Sequence, residues 1–466
     1  MATSLCTVVL AALLSACATV SSQPPPLASA ALPPSWDASA LQAALVAAEA
    51  PRFGDIDDAL LPALVAEALA ANLDIAGART TLERARALAD VAAAGQAPQL
   101  GTRASIGRSR SQRVESSSLG AGVDASWEAD VFGANAAASA AARADAEAGA
   151  ALLDATRLAI AGETALAYLA WQRTRSQLEV ARASFESLQQ TRELVGWRVQ
   201  AGLASALDAE QAASSVALAE AQLPALQSTL EQNAHRLAVL LALPPRALAE
   251  RLAAAPRGVP RVAPLPAPGV PADLLRRRPD LRAAELNARS AWATLAARRA
   301  EQWPTFTLSG SLALQAASWS TLGGPAALAA SVAAAVRWPL ADGGAAAARV
   351  RAQQAAYEAT RIAWQATLLG ALQDVDDNLV ALARGAEREA ALTQAVDAAE
   401  RSLALARQRY GAGLADFGTL LDSERTLLAS RDSLAAARSD LAQARVRLAK
   451  ALGGDVAPPT LQMQPS

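Results

Sequence analysis

The chain has 466 residues, with 42 basic and 44 acidic side chains and a formal net charge of −2. That balance leaves no electrostatic footprint for nucleic acid. Hydrophobic residues make up 52% but aromatics only 4%, and alanine accounts for most of the difference. Alanine with Leu, Arg, Glu and Gln favours long, closely packed helices over a globule built round bulky side chains.

The first segment, MATSLCTVVLAALLSACATV, has an apolar run from Val8 to Leu14, then small residues and Cys17. It reads as a signal peptide over 1–16. The quartet Leu14-Ser15-Ala16-Cys17 resembles a bacterial lipobox, in which cleavage falls just before the Cys and its thiol is lipidated. That resemblance implies diacylglycerol and an N-acyl chain such as palmitate on Cys17, each buried CH₂ adding about 0.8 kcal/mol of hold on a bilayer. Ala18, where Asp would retain a lipoprotein in the inner membrane, resembles an outer-membrane address. No Lys or Arg precedes Cys17, whereas a signal normally opens on positive charge; the start is expected at Met1 or upstream of it. Residues 17–58 are rich in Pro and Ser and read as a lipid anchor with an extended arm. Once Cys6 leaves with the signal, Cys17 is the one remaining thiol, which excludes disulfides and cysteine-rich metal sites. No metal and no cofactor beyond the acyl chains is expected. No run of 18 apolar residues follows the first 20 positions, so no transmembrane helix is expected.

From residue 59 the chain repeats itself. WRVQAGLASALDAE at 197–210 and QRYGAGLADFGTLLDSE at 408–424 share Arg198, Ala201, Gly202, Leu203 and Ala204 with Arg409, Ala412, Gly413, Leu414 and Ala415, each shifted by 211 positions. Asp74, Gln96 and Pro98 recur as Asp280, Gln302 and Pro304, shifted by 206. Leu223, Leu226, Leu230, Asn233, Leu237 and Leu240 step by 3 and 4 in turn, a coiled-coil seam, and positions 434–451 repeat it. The division expected is a first repeat at 59–242, a Pro-rich linker at 243–271, a second repeat at 272–453 and a tail at 454–466. Each repeat reads as helix, two strands, long helix, tip turn, long helix.

The strands alternate. In TFTLSGSLAL, Phe306, Leu308, Leu312 and Leu314 interleave with Thr305, Thr307, Ser309 and Ser311. In LGAGVDASWEADV, Leu119, Val123, Trp127 and Val131 oppose Asp124, Ser126, Glu128 and Asp130. In LAASVAAAVRWPL, Leu328, Val332, Val336, Trp338 and Leu340 share a face, and the strand at 99–111 alternates more weakly. Period-two runs of about ten residues suit a tilted strand crossing a bilayer. Trp127, Phe132, Trp303, Trp319 and Trp338 lie near strand ends, where an aromatic girdle would sit. Lipid cannot satisfy an open sheet edge, and four strands are too few to close. A spanning sheet must therefore be completed by other copies: two would give a filled barrel, three a channel. The same alternation also fits a soluble antiparallel sheet with one wet face.

The runs Trp127-Glu128-Ala129-Asp130-Val131-Phe132-Gly133 and Asp273-Leu274-Leu275-Arg276-Arg277-Arg278-Pro279-Asp280-Leu281-Arg282-Ala283-Ala284-Glu285 resemble two signatures of the outer membrane factors. These are the TolC- and OprM-like efflux channels, here in the lipoprotein, NodT-like branch. The paired Ala-Gly-Leu turns, Pro339-Leu340-Ala341-Asp342-Gly343-Gly344 and the lipobox complete the likeness over about 55 to 455. It implies a homotrimer: a twelve-stranded transmembrane β-barrel in the outer membrane above a long α-helical barrel in the periplasm. Positions 135–195 are about 60 residues, or about 90 Å of helix, which fits that scale. The implied function is passive conduction of drugs, metals or other small solutes, received from a periplasmic membrane-fusion adaptor and an inner-membrane pump of RND type. The tips Gly202, Leu203, Ala204, Gly413, Leu414 and Ala415 would meet the adaptor. Arg198, Asp208, Arg409, Tyr410, Asp416 and Asp422 would close the periplasmic gate. Tyr410 stands three residues before Gly413, as the family's gate tyrosine does before its glycine, while the first tip has Val199 there.

An enzyme is not expected. His235 is the single histidine and lies in the leucine seam, and no G-x-S-x-G turn presents a serine. The alternatives are a channel for type I protein secretion and a coiled-coil lipoprotein spacer, though a spacer leaves the four strands unexplained.

Overall fold

The computed structural model describes residues 56, 58–111, 114–260, 277–322 and 324–454. Cys17, the signal segment, nearly all of the 17–58 arm, the linker from 261 and the tail from 455 lie outside the described residues. The order is α1 (Leu61–Ala71), α2 (Leu73–Ala94), β1 (Gln99–Ser111), β2 (Val114–Ala129), α3 (Ala134–Gln200) and α4 (Ala206–Leu240). A short α5 (Ala249–Ala253) follows, then α6 (Pro279–Ala300), β3 (Thr305–Ala316), β4 (Leu328–Arg337), α7 (Ala345–Gly411) and α8 (Phe417–Ala451).

The duplication is visible in the element lengths. Helices α2 and α6 each have 22 residues, α3 and α7 each 67, α4 and α8 each 35. The offset is 206 at the start of β1 and β3 (99 to 305) and 211 at the start of α3 and α7 (134 to 345). The second copy's five extra residues thus lie between the start of β3 and α7. Two compact units cut across this duplication. One takes Arg79–Leu152 and Asp280–Thr367, including all four strands; among the described residues the other takes 56, 58–78, 153–260, 277–279 and 368–454. Each unit therefore draws on both repeats.

The strands form one antiparallel sheet in the order β1-β2-β3-β4. Its register fixes the faces. Trp127 pairs with Leu308, Val123 with Leu312, and Phe306 with Val336, so the apolar residues of three strands align. Leu100, Ile106, Val123, Leu308, Leu312 and Val336 are exposed, and Val332 is 83% so. On the other face Gly101, Asp124, Ser311 and Ser331 form a row, as do Ser105, Gly120 and Gln315. Small hydroxyls bond across strands there, Ser311 to Ser331 at 2.8 Å and Ser109 to Ser116 at 2.7 Å. An exposed apolar face opposite a polar one inverts the usual arrangement of a sheet packed on a core.

Four positions differ from the expected pattern. Val131 falls beyond β2, which ends at Ala129, because Asp130 turns back to accept the N–H of Ala136 at 2.7 Å and starts α3. Leu340 and Trp338 fall beyond β4, which ends at Arg337 two residues before Pro339. Leu119 is buried, unlike the rest of its face.

Helices α1 and α2 together have the length and composition of a membrane-crossing helix. Asn72 divides them: its Oδ1 accepts the N–H groups of Asp74 and Ile75 and caps α2. Leu61, Leu64 and Ala68 of α1 are fully buried in protein. The same Asn72 donates Nδ2 to the carbonyl of Leu240, the last residue of α4, at 2.9 Å. In the second copy Arg278 donates Nη1 to the carbonyl of Ala451, the last residue of α8, at 3.1 Å. Unlike side chains thus tie down equivalent helix ends. The described part of the Pro-rich stretch is also packed. Leu248 and Leu252 are buried, and Gln172 and Arg175 of α3 donate to the carbonyls of Pro256 and Ala255 at 3.1 and 3.0 Å.

Candidate functional site

The two tip turns are nearly superposable in their bonding. Gly202 has φ +72° and Gly413 +73°, a region open to glycine and strained for other residues. At the first tip Leu203 N–H donates to Arg198 O at 2.7 Å and Gly202 N–H to Val199 O at 3.0 Å. At the second, Leu414 donates to Arg409 at 2.8 Å and Gly413 to Tyr410 at 3.0 Å. This pair of crossed bonds is the Schellman ending, usually sealed by an apolar contact from the residue after the glycine. Here that seal is absent: three residues back from each cap stands an arginine, and Leu203 and Leu414 are 68% and 77% exposed. The leucines thus sit on correctly capped turns and remain open apolar knobs. Ala204 and Ala415 beside them are half-buried.

The following helices start on acidic caps. Ser205 and Asp208 form a reciprocal box, Ser205 N–H donating to Asp208 at 3.0 Å and Asp208 N–H to Ser205 at 3.2 Å. Asp416 accepts the N–H of Thr419 at 2.6 Å, and that bond holds its carboxyl below the ordinary 3.8.

The gate candidates separate into partnered and solvated groups. Arg198 lies with its guanidinium 4.6 Å from the centre of the Tyr410 ring. Its Nη1 donates to the carbonyls of Tyr410 and Gly411, so the first hairpin's arginine bonds the end of the second hairpin's α7. Tyr410 is buried against Phe417, ring centres 6.0 Å apart, and its hydroxyl has no partner among the described residues. Burial pushes its pKa up, against the pull of Arg198. Arg409 is exposed, and Asp422 is exposed with Arg425 at 3.9 Å.

Sequence reasoning passed over Glu424. Its side chain is 4% exposed. Oε1 accepts from Thr191 at 2.8 Å and Ser187 at 3.2 Å, both on α3, and from Arg407 of α7 at 3.2 Å. Arg407 also bonds Ser187. Phe417, Leu420, Leu421 and Leu427 of α8 are buried around Glu424. Its own helix gave no signal: the seam at 434–451, continued back in steps of 4 and 3, falls on Ser423, one residue away.

Four of the five girdle candidates gather at one end of the sheet. Trp127 donates its indole N–H to Gln96 O at 3.0 Å, and its counterpart Trp338 to Gln302 O at 3.3 Å. Phe132 stacks on Trp303, ring centres 5.4 Å apart. Trp319 lies in the β3–β4 connection at the opposite end and is exposed. On the polar face, a concavity of about 570 Å³ is lined by Arg103, Ser105, Ser118, Asp124, Ser311 and Gln315, with Arg103 and Asp124 paired at 3.3 Å. Among the described residues no group of three or more His, Cys, Asp or Glu side chains is placed to hold a metal.

The outer membrane efflux protein family matches residues 64–243 and 270–454. The chain belongs to this family. Nodulation protein T of Rhizobium leguminosarum bv. viciae is 30% identical over 423 residues, 90% of this chain and 86% of that protein. The toluene efflux pump outer membrane protein TtgI of Pseudomonas putida is 27% identical over 414 residues, 85% of this chain and 86% of that one. Among solved structures, the outer-membrane channel OprN superposes with a TM-score of 0.82 at 31% identity, covering 87% of this chain and 92% of that one. The family's fold joins a β domain to a helical barrel, and the chain is an outer-membrane protein extending into the periplasm. Its sheet has one exposed apolar face and one polar face, and its two tips are the turns that follow its two longest helices, α3 and α7.

Proposed function

We propose that this chain is the outer-membrane channel of a tripartite efflux system, working as a homotrimer that passively conducts drugs, metals or other small solutes outward. The four-stranded sheet carries the reading. Its outer strands β1 and β4 each leave one backbone edge unpaired, and its exposed face is apolar along three strands. In lipid such edges must pair, and three sheets closing edge to edge make a twelve-stranded barrel with the Ser- and Gly-rich face inside. Leu203 and Leu414 on their rigid turns meet the hairpin of a periplasmic adaptor, which couples the tube to an inner-membrane pump of RND type. Arg198, Asp208, Arg409, Tyr410, Asp416 and Asp422 hold the tips closed. Acyl chains on Cys17 add a lipid anchor. The reading is supported by the toluene efflux role in the name of TtgI and by the likeness to OprN.

The test is the native mass of detergent-extracted protein with its N-terminus intact. A trimer carrying an acyl mass on Cys17 is expected. A monomer that stays soluble without detergent would overturn the barrel, and a trimer without acyl mass would remove the anchor alone.

A further inference from the structure

The two hairpin ends are duplicates in backbone but not in side chains. Shifting by 211 pairs Arg407 with Gly196, Tyr410 with Val199, Phe417 with Ala206 and Glu424 with Ala213. The first hairpin therefore lacks the buried carboxylate, the arginine beside it and the two aromatic rings. What it supplies instead are acceptors and donors to the second: Ser187 and Thr191 on α3, and Arg198 at the tip. Polar contacts thus join the hairpins at two levels, alongside the apolar cluster in which Val195 packs with Leu403, Phe417 and Leu420. The distal joint, Arg198 on Tyr410, is half-exposed. The proximal one, centred on Glu424, is enclosed. Between them along α3, Thr191 and Arg198 are seven residues apart, about two helical turns.

These joints differ in how they can break. A half-exposed arginine leaving a ring and two carbonyls is received by water. Glu424 leaving Thr191, Ser187 and Arg407 would strand a carboxylate among Leu420, Leu421 and Leu427, which costs far more than parting an exposed pair. Its second oxygen already has no partner among the described residues, and its bonds to Thr191, Ser187 and Arg407 all fall on Oε1. Small cavities of about 160 Å³ flank it on each side, one toward α4 and one toward α7.

We infer that Glu424 is a positioning residue that pins the two hairpins of a protomer together through Ser187, Thr191 and Arg407, so that the tips part only beyond it. The pin sets the length of the moving segment: residues from about Arg192 through the first tip, and from Gln408 to Ser423 at the second. It rests on the channel reading only for its consequence, not for its existence. Arg198 then acts as the latch that releases, and Glu424 as the point about which release occurs.

The test uses the full-length, detergent-extracted protein, with hydrogen exchange and planar-bilayer conductance measured on the same preparations. Glu424→Leu fills the site with an apolar side chain of similar size, and Arg407, 45% exposed, stays solvated. Exchange is expected to rise severalfold over 184–191 of α3, on the hairpin that carries no substitution, while thermal stability and oligomeric mass hold. Closed-state conductance is expected to rise severalfold as well, and Glu424→Gln, which keeps an acceptor for Thr191 and Ser187, to reverse most of both effects. Unchanged exchange over 184–191 would overturn the pin. So would wild-type conductance in Glu424→Leu beside a leaking Arg198→Ala. Loosened exchange with no current from any variant or from the parent would leave the pin standing and overturn the channel reading.

Discussion

The guanidinium of Arg198 lies 4.6 Å from the ring centre of Tyr410, and these residues stand 212 positions apart in sequence. The contact joins the end of α3 to the end of α7 and is a face-on stack backed by two carbonyl acceptors. Such a stack contributes about 0.5–2 kcal/mol and each net hydrogen bond about 1 kcal/mol. Arg198→Ala is expected to lower stability of the tip by about 2.5–4 kcal/mol on these values. Tyr410→Phe keeps the ring under the arginine and removes a hydroxyl that has no partner among the described residues, so it should change stability by less than about 1 kcal/mol. Calorimetric unfolding of both variants checks the ordering; a larger loss in Tyr410→Phe would mean that the phenol is bonded after all.

Acid should loosen the second tip through Asp416. Its folded carboxyl is held below the ordinary 3.8 by the Thr419 N–H. A depressed value means the stabilisation is complete above 3.8 and fades as pH falls through the lower, folded value. The thermal midpoint of wild type should exceed that of Asp416→Ala near neutral pH, and the gap should shrink as pH falls below 3.8. Tyr410→Phe combined with Asp416→Ala is expected to leak in conductance measurements, with the lost cap as the main cause. A leak of equal size from Tyr410→Phe alone would assign the gate to the phenol instead.

Strands were legible because an apolar face opposite a polar one forces a period of two, which composition cannot hide. Tip turns were legible because a left-handed position asks for glycine, and a duplicated chain asks twice. Strand ends were less so. Val131 and Leu340 keep the alternation, yet Asp130 and Pro339 end their strands first. What sequence could not present are contacts between distant positions, such as Arg198 with Tyr410 or Thr191 with Glu424. A glutamate on an alanine-rich helix resembles a solvated charge until the helices that enclose it are in place. The copies also conceal function by exchanging residue types: Asn72 and Arg278 do one job at helix ends and share no chemistry beyond an N–H donor.

The exposed leucines should separate docking from folding. Exposed side chains removed from caps and cores usually change stability by no more than about 0.5 kcal/mol. Leu203→Asp with Leu414→Asp should therefore unfold like the parent and fail to bind a periplasmic adaptor in surface plasmon resonance. Gly202→Ala with Gly413→Ala should do the reverse of that pattern in stability, each losing about 1 kcal/mol through strain at positive φ. If the aspartate pair binds as well as the parent, docking uses another surface.

Two rims should be distinguishable by their tryptophans. Trp127 and Trp338 sit at the helix-side end of the sheet, each bonded to a carbonyl of the preceding helix turn, whereas Trp319 is 73% exposed in the connection at the other end. Strands of 10 to 16 residues separate the two levels, which at about 3.3 Å per residue and a barrel tilt near 40° corresponds to roughly one hydrocarbon thickness. On whole cells an impermeant aqueous quencher should therefore reach Trp319 and leave Trp127 and Trp338 untouched. Trp319→Phe should abolish the quenchable part of the signal, and Trp127→Phe should not alter it. In reconstituted vesicles, lipids brominated near the headgroup should quench Trp338 more than lipids brominated at the chain ends, because the indole N–H is fixed at the polar boundary. Equal quenching of all three residues by the aqueous reagent would place both rims in water and remove the sheet from the membrane.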